Sequence, residues 1–95
     1  MLCALTVRRL KPGAFEDFRR AWEMDSMPPG WSRAYTVRNL DDENEIVSFG
    51  FFDGTLEDLR KSQQEQDYAG QRAKIDQYVE STGADGIYEV VESFE

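Results

Sequence analysis

The chain has 95 residues, a formal net charge of −8 and no histidine. That length favours one domain spanning residues 1–95, and a domain so small is marginally stable alone, so association is a common remedy. The acidic balance excludes nucleic acid and anionic membrane as partners, because both require a basic surface. The single cysteine, Cys3, allows neither an intramolecular disulfide nor a cysteine-built metal site. "MLCALTVRRL" meets charge too early for a signal peptide, and no apolar run reaches membrane-spanning length. The expectation is a cytoplasmic protein.

"LCALTVRRL" predicts a first strand. Cys3, Leu5 and Val7 share one face; Ala4, Thr6 and Arg8 share the other. "KPGAFEDFRRAWEM" predicts a helix with Pro12 in its first turn, where a missing N–H does no harm. Phe15, Phe18 and Trp22 fall on one stripe, with Glu16, Asp17, Arg19, Arg20 and Glu23 opposite. Pro28 and Pro29 in "MPPG" cannot continue that helix. "WSRAYTVRNL" reads as a second strand, and "DDENE" as a polar turn into a third strand, "IVSFGFF". Thr55 with Asp58 three residues on resembles an N-cap. A helical region follows toward Val79, with Leu56, Leu59, Tyr68 and Ile75 apolar and a break expected near 62–68. Gly70 weakens its middle. "STGADG" reads as the stop, and "IYEVVESF" as the last strand.

This βαββαβ order predicts an α+β, ferredoxin-like fold: a four-stranded antiparallel sheet with two helices on one face. The third strand then poses a question. One parity holds Val47, Phe49 and Phe51; the other holds Ile46, Ser48, Gly50 and Phe52. Neither carries charge, although a strand facing water on one side should alternate apolar with charged residues. With Ala4 and Thr6 beside it, the small-residue parity is expected to face a second subunit's sheet across a semi-enclosed cavity. Close sheet packing without a cavity is the alternative.

The element order, "LKPGAFEDFRRAW" after the first strand and "FGFFDGTLEDL" into the second helix resemble the dimeric α+β barrel superfamily. That group includes antibiotic-biosynthesis-type monooxygenases, haem-degrading monooxygenases and stress-responsive barrel proteins. Phe52 and Asp53 match a junction where many relatives carry an aromatic, often Trp, and an acid. The resemblance implies a homodimer and a cofactor-independent, monooxygenase-like enzyme for a small aromatic or polyketide-like molecule. In that class the substrate's own carbanion activates oxygen. A non-catalytic ligand-binding or accessory dimer is the second reading. The haem-degrading branch uses a helix histidine and an early asparagine in the first strand. This chain has no histidine and reads "CALTV" there, so no haem site carries over and no cofactor is expected.

Thr6, Arg8, Ser48, Gly50 and Phe52 form the candidate ligand pocket, for a small hydrophobic or acidic ligand. Inward arginine needs an anionic partner. For Arg8, Arg33 or Arg38 that partner would be Glu89, Glu92 or an acidic ligand. Glu89, Asp53, Tyr35 and Tyr88 are candidate acid–base groups, although the tyrosines also suit a sheet surface. Asp41, Asp42, Glu43 and Glu45 lack the ordered oxygen spacing of a calcium loop, and no metal is expected. Cys3 has no histidine to activate it and reads as a packed side chain.

Overall fold

The computed structural model describes residues 1–22 and 27–95. The elements are β1 (Leu2–Leu10), α1 (Phe15–Ala21), β2 (Trp31–Arg38), β3 (Glu45–Phe52), α2 (Leu56–Glu65), α3 (Tyr68–Asp76) and β4 (Val79–Glu89). The strands form one sheet in the order β2-β3-β1-β4, every neighbouring pair antiparallel. The fold is α+β and ferredoxin-like, with three helices because the second helical region is divided.

Local chemistry sets the helix ends. Pro12 and Gly13 occupy the centre of a turn closed by the Ala14 N–H on the Lys11 carbonyl at 3.1 Å, with Gly13 at φ 75°. That positive φ suits glycine and postpones the helix to Phe15. Pro12 therefore precedes α1 and does not sit in its first turn. Glu23 and Met24, expected at the end of this helix, lie outside the described residues. Helix α2 opens on a capping box: Thr55 Oγ1 accepts from the Asp58 N–H at 3.1 Å, and the Asp58 carboxylate accepts from the Thr55 N–H at 3.2 Å. The expected break falls at Gln66 and Asp67. Asp67 takes the left-handed conformation, φ 51°, which Asp tolerates better than most residues. Its carboxylate accepts from the Gly70 N–H at 3.3 Å and starts α3.

The helices settle which sheet face they cover. Leu10, Phe18, Ile46 and Ile75 form the core, with Phe15, Trp22, Tyr78 and Val79 packed against it. Leu10 and Ile46 belong to the even parity of β1 and β3. The small-residue parity thus lies beneath the chain's own helices, not against a second sheet. The reason is that from Ile46 to Phe52 both parities of β3 lack charge, so alternation alone cannot rank them. The apolar stripe of α1 selects one.

The last strand also departs from expectation. "STGADG" lies inside β4, and the strand ends at Glu89, before "VVESF". Thr6 pairs with Asp85 but Arg8 with Thr82, and Arg9 pairs with Ser81 but Leu10 with Val79. Each step leaves one extra residue on β4. Such bulges suit an edge strand and absorb residues whose composition reads as a turn.

Candidate functional site

Register turns the helix-facing side of the sheet into rows. Ala34, Gly50 and Ala4 lie side by side across β2, β3 and β1, and Ile87 of β4 completes that row. The next row is Thr36, Ser48, Thr6 and Asp85. The third is Arg38, Ile46, Arg8 and Thr82. At one end the large side chains of Leu10, Ile46, Phe18 and Ile75 fill the space under the helices. At the other, Trp31 and Phe52 pack edge to face with ring centroids 5.1 Å apart. The small rows between them cannot reach the helices, and a cavity of about 450 Å³ remains.

Its floor is Ala34, Gly50, Ala4, Thr36, Ser48 and Thr6, with Arg8 at one side. Trp22, Trp31, Met27 and Pro28 form apolar walls. Gln63, Gln66, Tyr68 and Gln71 reach in from α2, α3 and the break between them. A Cβ on Gly50 would stand 3.2 Å from Trp31 Cζ3, so glycine here lets the indole lie close on the sheet. Trp31 is also held by its Nε1–H donating to Ser62 Oγ at 3.2 Å.

Arg8 is only 2% exposed. Its Nη2 has no hydrogen-bond partner among the described residues, and neither has the buried Ser48 hydroxyl. The guanidinium sits 5.9 Å from the Phe18 ring centroid and 5.8 Å from that of Trp22. Burial pushes the Arg8 pKa below its ordinary value, and Arg72 acts in the same direction; Tyr68 and Asp85 oppose them. Asp85 is already engaged. It accepts from Arg72 at 2.9 Å and from the Thr6 hydroxyl at 3.4 Å. That hydrogen bond raises the Arg72 pKa.

Four of the five candidate pocket residues, Thr6, Arg8, Ser48 and Gly50, border this cavity. Phe52 does not; it is buried behind Trp31, its ring against Gly30. Of the three candidate arginines, Arg8, Arg33 and Arg38, only Arg8 is buried. Arg38 is exposed on its edge strand with its guanidinium 4.8 Å from the Phe15 ring centroid, and Arg33 lies on the opposite parity. Glu89 and Glu92 are exposed and make no ion pair with Arg8. Asp53 is exposed at the end of β3, and Tyr88 lies on the far face beside Cys3. Among the turn acids, Asp42 is held by Arg9 and Glu45 accepts from Asn39. The sequence reading missed the helix side of the cavity, Gln63, Gln66 and Gln71. The run "KSQQEQDYAGQ" looks like a solvated helix surface, and only its amides, uncharged amid charged neighbours, mark an inward face.

The opposite sheet face is bare. Cys3, Leu5, Val7, Val47, Phe49 and Phe51 lie there partly exposed, beside Tyr35, Val37 and Tyr88 at 46%, 43% and 47%. Tyr35, Phe49 and Phe51 form a continuous aromatic row, with centroids 5.3 and 6.0 Å apart. Burial pushes the Cys3 thiol pKa up, against a nucleophilic role. Among the described residues no helix is long and apolar enough to cross a membrane.

No family model and no curated protein matches the sequence closely enough to establish kinship. Solved structures do match the fold. A putative antibiotic biosynthesis monooxygenase from Nitrosomonas europaea superposes with a TM-score of 0.78 at 19% identity, over 97% of this chain and 100% of that one. Another, from Chloroflexus aurantiacus J-10-fl, gives 0.78 at 15% identity over 99% and 96%. SnoaB, described as a cofactor-independent oxygenase from Streptomyces nogalater, gives 0.74 at 14% identity over 97% and 94%. The chain has the fold of the antibiotic biosynthesis monooxygenase-like proteins.

Proposed function

We propose that the protein is a single-domain, cytoplasmic, homodimeric enzyme of the cofactor-independent monooxygenase type. Its substrate is a small aromatic or polyketide-like molecule held between the sheet and the helices. The observation that carries this reading is the cavity. Protein interiors normally close-pack, whereas this one keeps about 450 Å³ open over a floor of small residues, within the usual range for small-molecule sites. The reaction type comes from the likeness to SnoaB. In such a reaction an activated methylene loses a proton and its carbanion passes electrons to O2. A C–O bond forms, the peroxide loses water, and a carbonyl remains. One oxygen atom enters the product and the other leaves as water. The protein's part is to orient the methylene, exclude bulk water and stabilise the anion.

The dimer is proposed from the bare face, where apolar and aromatic side chains form a patch bordered by Arg33 beside Phe51 and by Arg9 and Glu45 at one end. Such a patch on a small acidic domain suits burial against a second copy. Sedimentation equilibrium at micromolar concentration should give twice the 11.0 kDa chain mass, and Phe49→Asp should reduce it to one. A wild-type protein that stays at one chain mass with a native circular dichroism spectrum would remove the dimer.

One observation favours a non-catalytic binding dimer as the second reading: no carboxylate borders the main cavity among the described residues, so no strong base faces it. Oxygen uptake decides between the two. An aromatic ketone with an activated methylene should consume one O2 per carbonyl formed, and Gly50→Leu, which intrudes on the cavity, should abolish this. Binding of such ketones without any uptake across a panel would favour the binding module.

A further inference from the structure

We propose that Arg8 and Ser48 make one end of the cavity an anion holder, so that its ligand is a planar, otherwise apolar monoanion. The charge lies on two coplanar oxygens, as in a carboxylate or a β-diketone enolate. The inference rests on the reading of the cavity as a ligand site and deepens it by naming the ligand's charge and its orientation.

Three observations converge. First, Arg8 is buried, and its Nη2 has no partner among the described residues. A buried cation is stable only when paired or hydrogen-bonded; Tyr68 favours the charged guanidinium, but Nη2 has no acceptor among the described residues. The aromatic rings of Phe18 and Trp22 approach the guanidinium but accept no in-plane N–H bonds. Second, no acid among the described residues is available. Asp85 is bound to Arg72 and Thr6. Glu89 pairs in register with Leu2, six residues from Arg8 along β1, which is about 20 Å at strand rise. Third, Ser48 is the second orphan, and its hydroxyl lies on the same side of the sheet. Ser48 pairs with Thr6 and Ile46 with Arg8. Arg8 and Ser48 are therefore diagonal neighbours, close enough for one small group to bridge them.

The rest of the cavity defines the ligand's body. Ala34, Gly50 and Ala4 give a flat apolar floor one row away from Ser48, and Trp31 stands over it. A planar ring fits there, with its charged end toward Arg8. One cation and one neutral hydroxyl balance a single negative charge. A dianion would bring a second, uncompensated charge into a buried site of a chain already at −8. In the oxygenase reading the same arrangement has a chemical use. A guanidinium beside the enolate oxygen stabilises the anion that must form, which lowers the need for a strong base.

The test is isothermal titration with three probes of similar shape: 2-naphthoate, 2-naphthamide and an aromatic β-diketone that is ionised at neutral pH. Wild type should bind at least one anion about tenfold or more tighter than the amide, the ratio expected of a hydrogen bond to a charged group. Which anion binds tighter separates carboxylate from enolate. Arg8→Met should erase that preference while leaving amide affinity within about twofold, which also reports an intact cavity. Ser48→Ala should weaken anion binding by about threefold to tenfold. Were Arg8→Met misfolded, Arg8→Lys would decide the matter: it keeps the charge and should keep part of the preference. Equal affinity of wild type for anion and amide, no binding of either, or a preference that survives Arg8→Met would each overturn the proposal. None of these readouts needs turnover. Anion selectivity without oxygen uptake would leave the anion holder standing and remove the oxygenase, and uptake without selectivity would do the reverse.

Discussion

Replacing Arg8 by Met should stabilise the ligand-free protein, although Arg8 is among its most buried residues. At 2% exposure, the guanidinium has lost its hydration, and Nη2 gains no acceptor among the described residues. Exchanging buried ionic groups for apolar side chains of similar volume is neutral or stabilising by about 1–4 kcal/mol. Against this stand the lost contacts with the Phe18 and Trp22 rings, which at 5.9 and 5.8 Å lie near the limit of the interaction and together offset about 1 kcal/mol. The central expectation is a net gain of about 1 kcal/mol. For a domain of this size, that raises Tm by roughly 4–8 °C. Urea unfolding followed by circular dichroism, at one fixed protomer concentration because a dimer's stability depends on it, measures the change. Ser48→Ala removes the other orphan and should share the sign with a smaller size. If Arg8→Met instead loses more than about 1 kcal/mol, the guanidinium is internally satisfied, and the argument that the site is incomplete without an anion fails.

Phe18→Ala should cost about 3–5 kcal/mol, because Phe18 is 1% exposed at the centre of the core; an unchanged urea midpoint would disprove its anchoring role. Gly50→Leu should abolish binding of a hydrophobic fluorescent probe and leave the proposed dimer intact, since the new side chain meets Trp31 on the helix side; a weakened dimer would place Gly50 at the subunit interface. Asp42 should titrate below the ordinary Asp value, chiefly through its hydrogen bond from the Arg9 side chain and also through that from the Asn44 N–H. Its folded pKa is depressed, so its stabilisation is present above the unfolded value of about 3.9 and is lost as pH falls through the folded one. Carboxyl NMR titration should show the midpoint rising in Arg9→Gln, and no change would mean that the pair is not formed in solution.

Much of this architecture was legible because its signals are local. The nine-residue first strand, the capping box at Thr55 and Asp58, and the break before Tyr68 each follow from a few neighbouring side chains. What stayed hidden depends on tertiary contact. The uncharged stretch "IVSFGFF" has two faces fit for burial, and only the stripe of α1 shows which one the chain covers itself. The small parity, expected to meet a partner's sheet, floors the cavity instead, while Val47, Phe49 and Phe51 are left bare. "STGADG" carries three strong turn formers, yet pairing with the central strand β1 and two bulges hold it in β4. Thr6, Arg8, Ser48 and Gly50 could be picked out as small or polar residues on apolar strands. Their partners Gln63, Gln66 and Gln71 could not, because an amide on a polar helix looks the same whether it faces water or a cavity.

The space between the sheet and the chain's own helices is the proposed ligand site. Both tryptophans and three glutamines of the chain border that space, so nitrogen-labelled protein carries its reporters there. Titration with 2-naphthoate, followed by proton–nitrogen NMR, should shift the indole N–H signals of Trp22 and Trp31 and the side-chain amides of Gln63, Gln66 and Gln71. All should follow one saturable curve. If those signals stay fixed while the ring resonances of Phe49, Phe51 and Tyr88 move, the ligand sits on the bare face and the account is wrong.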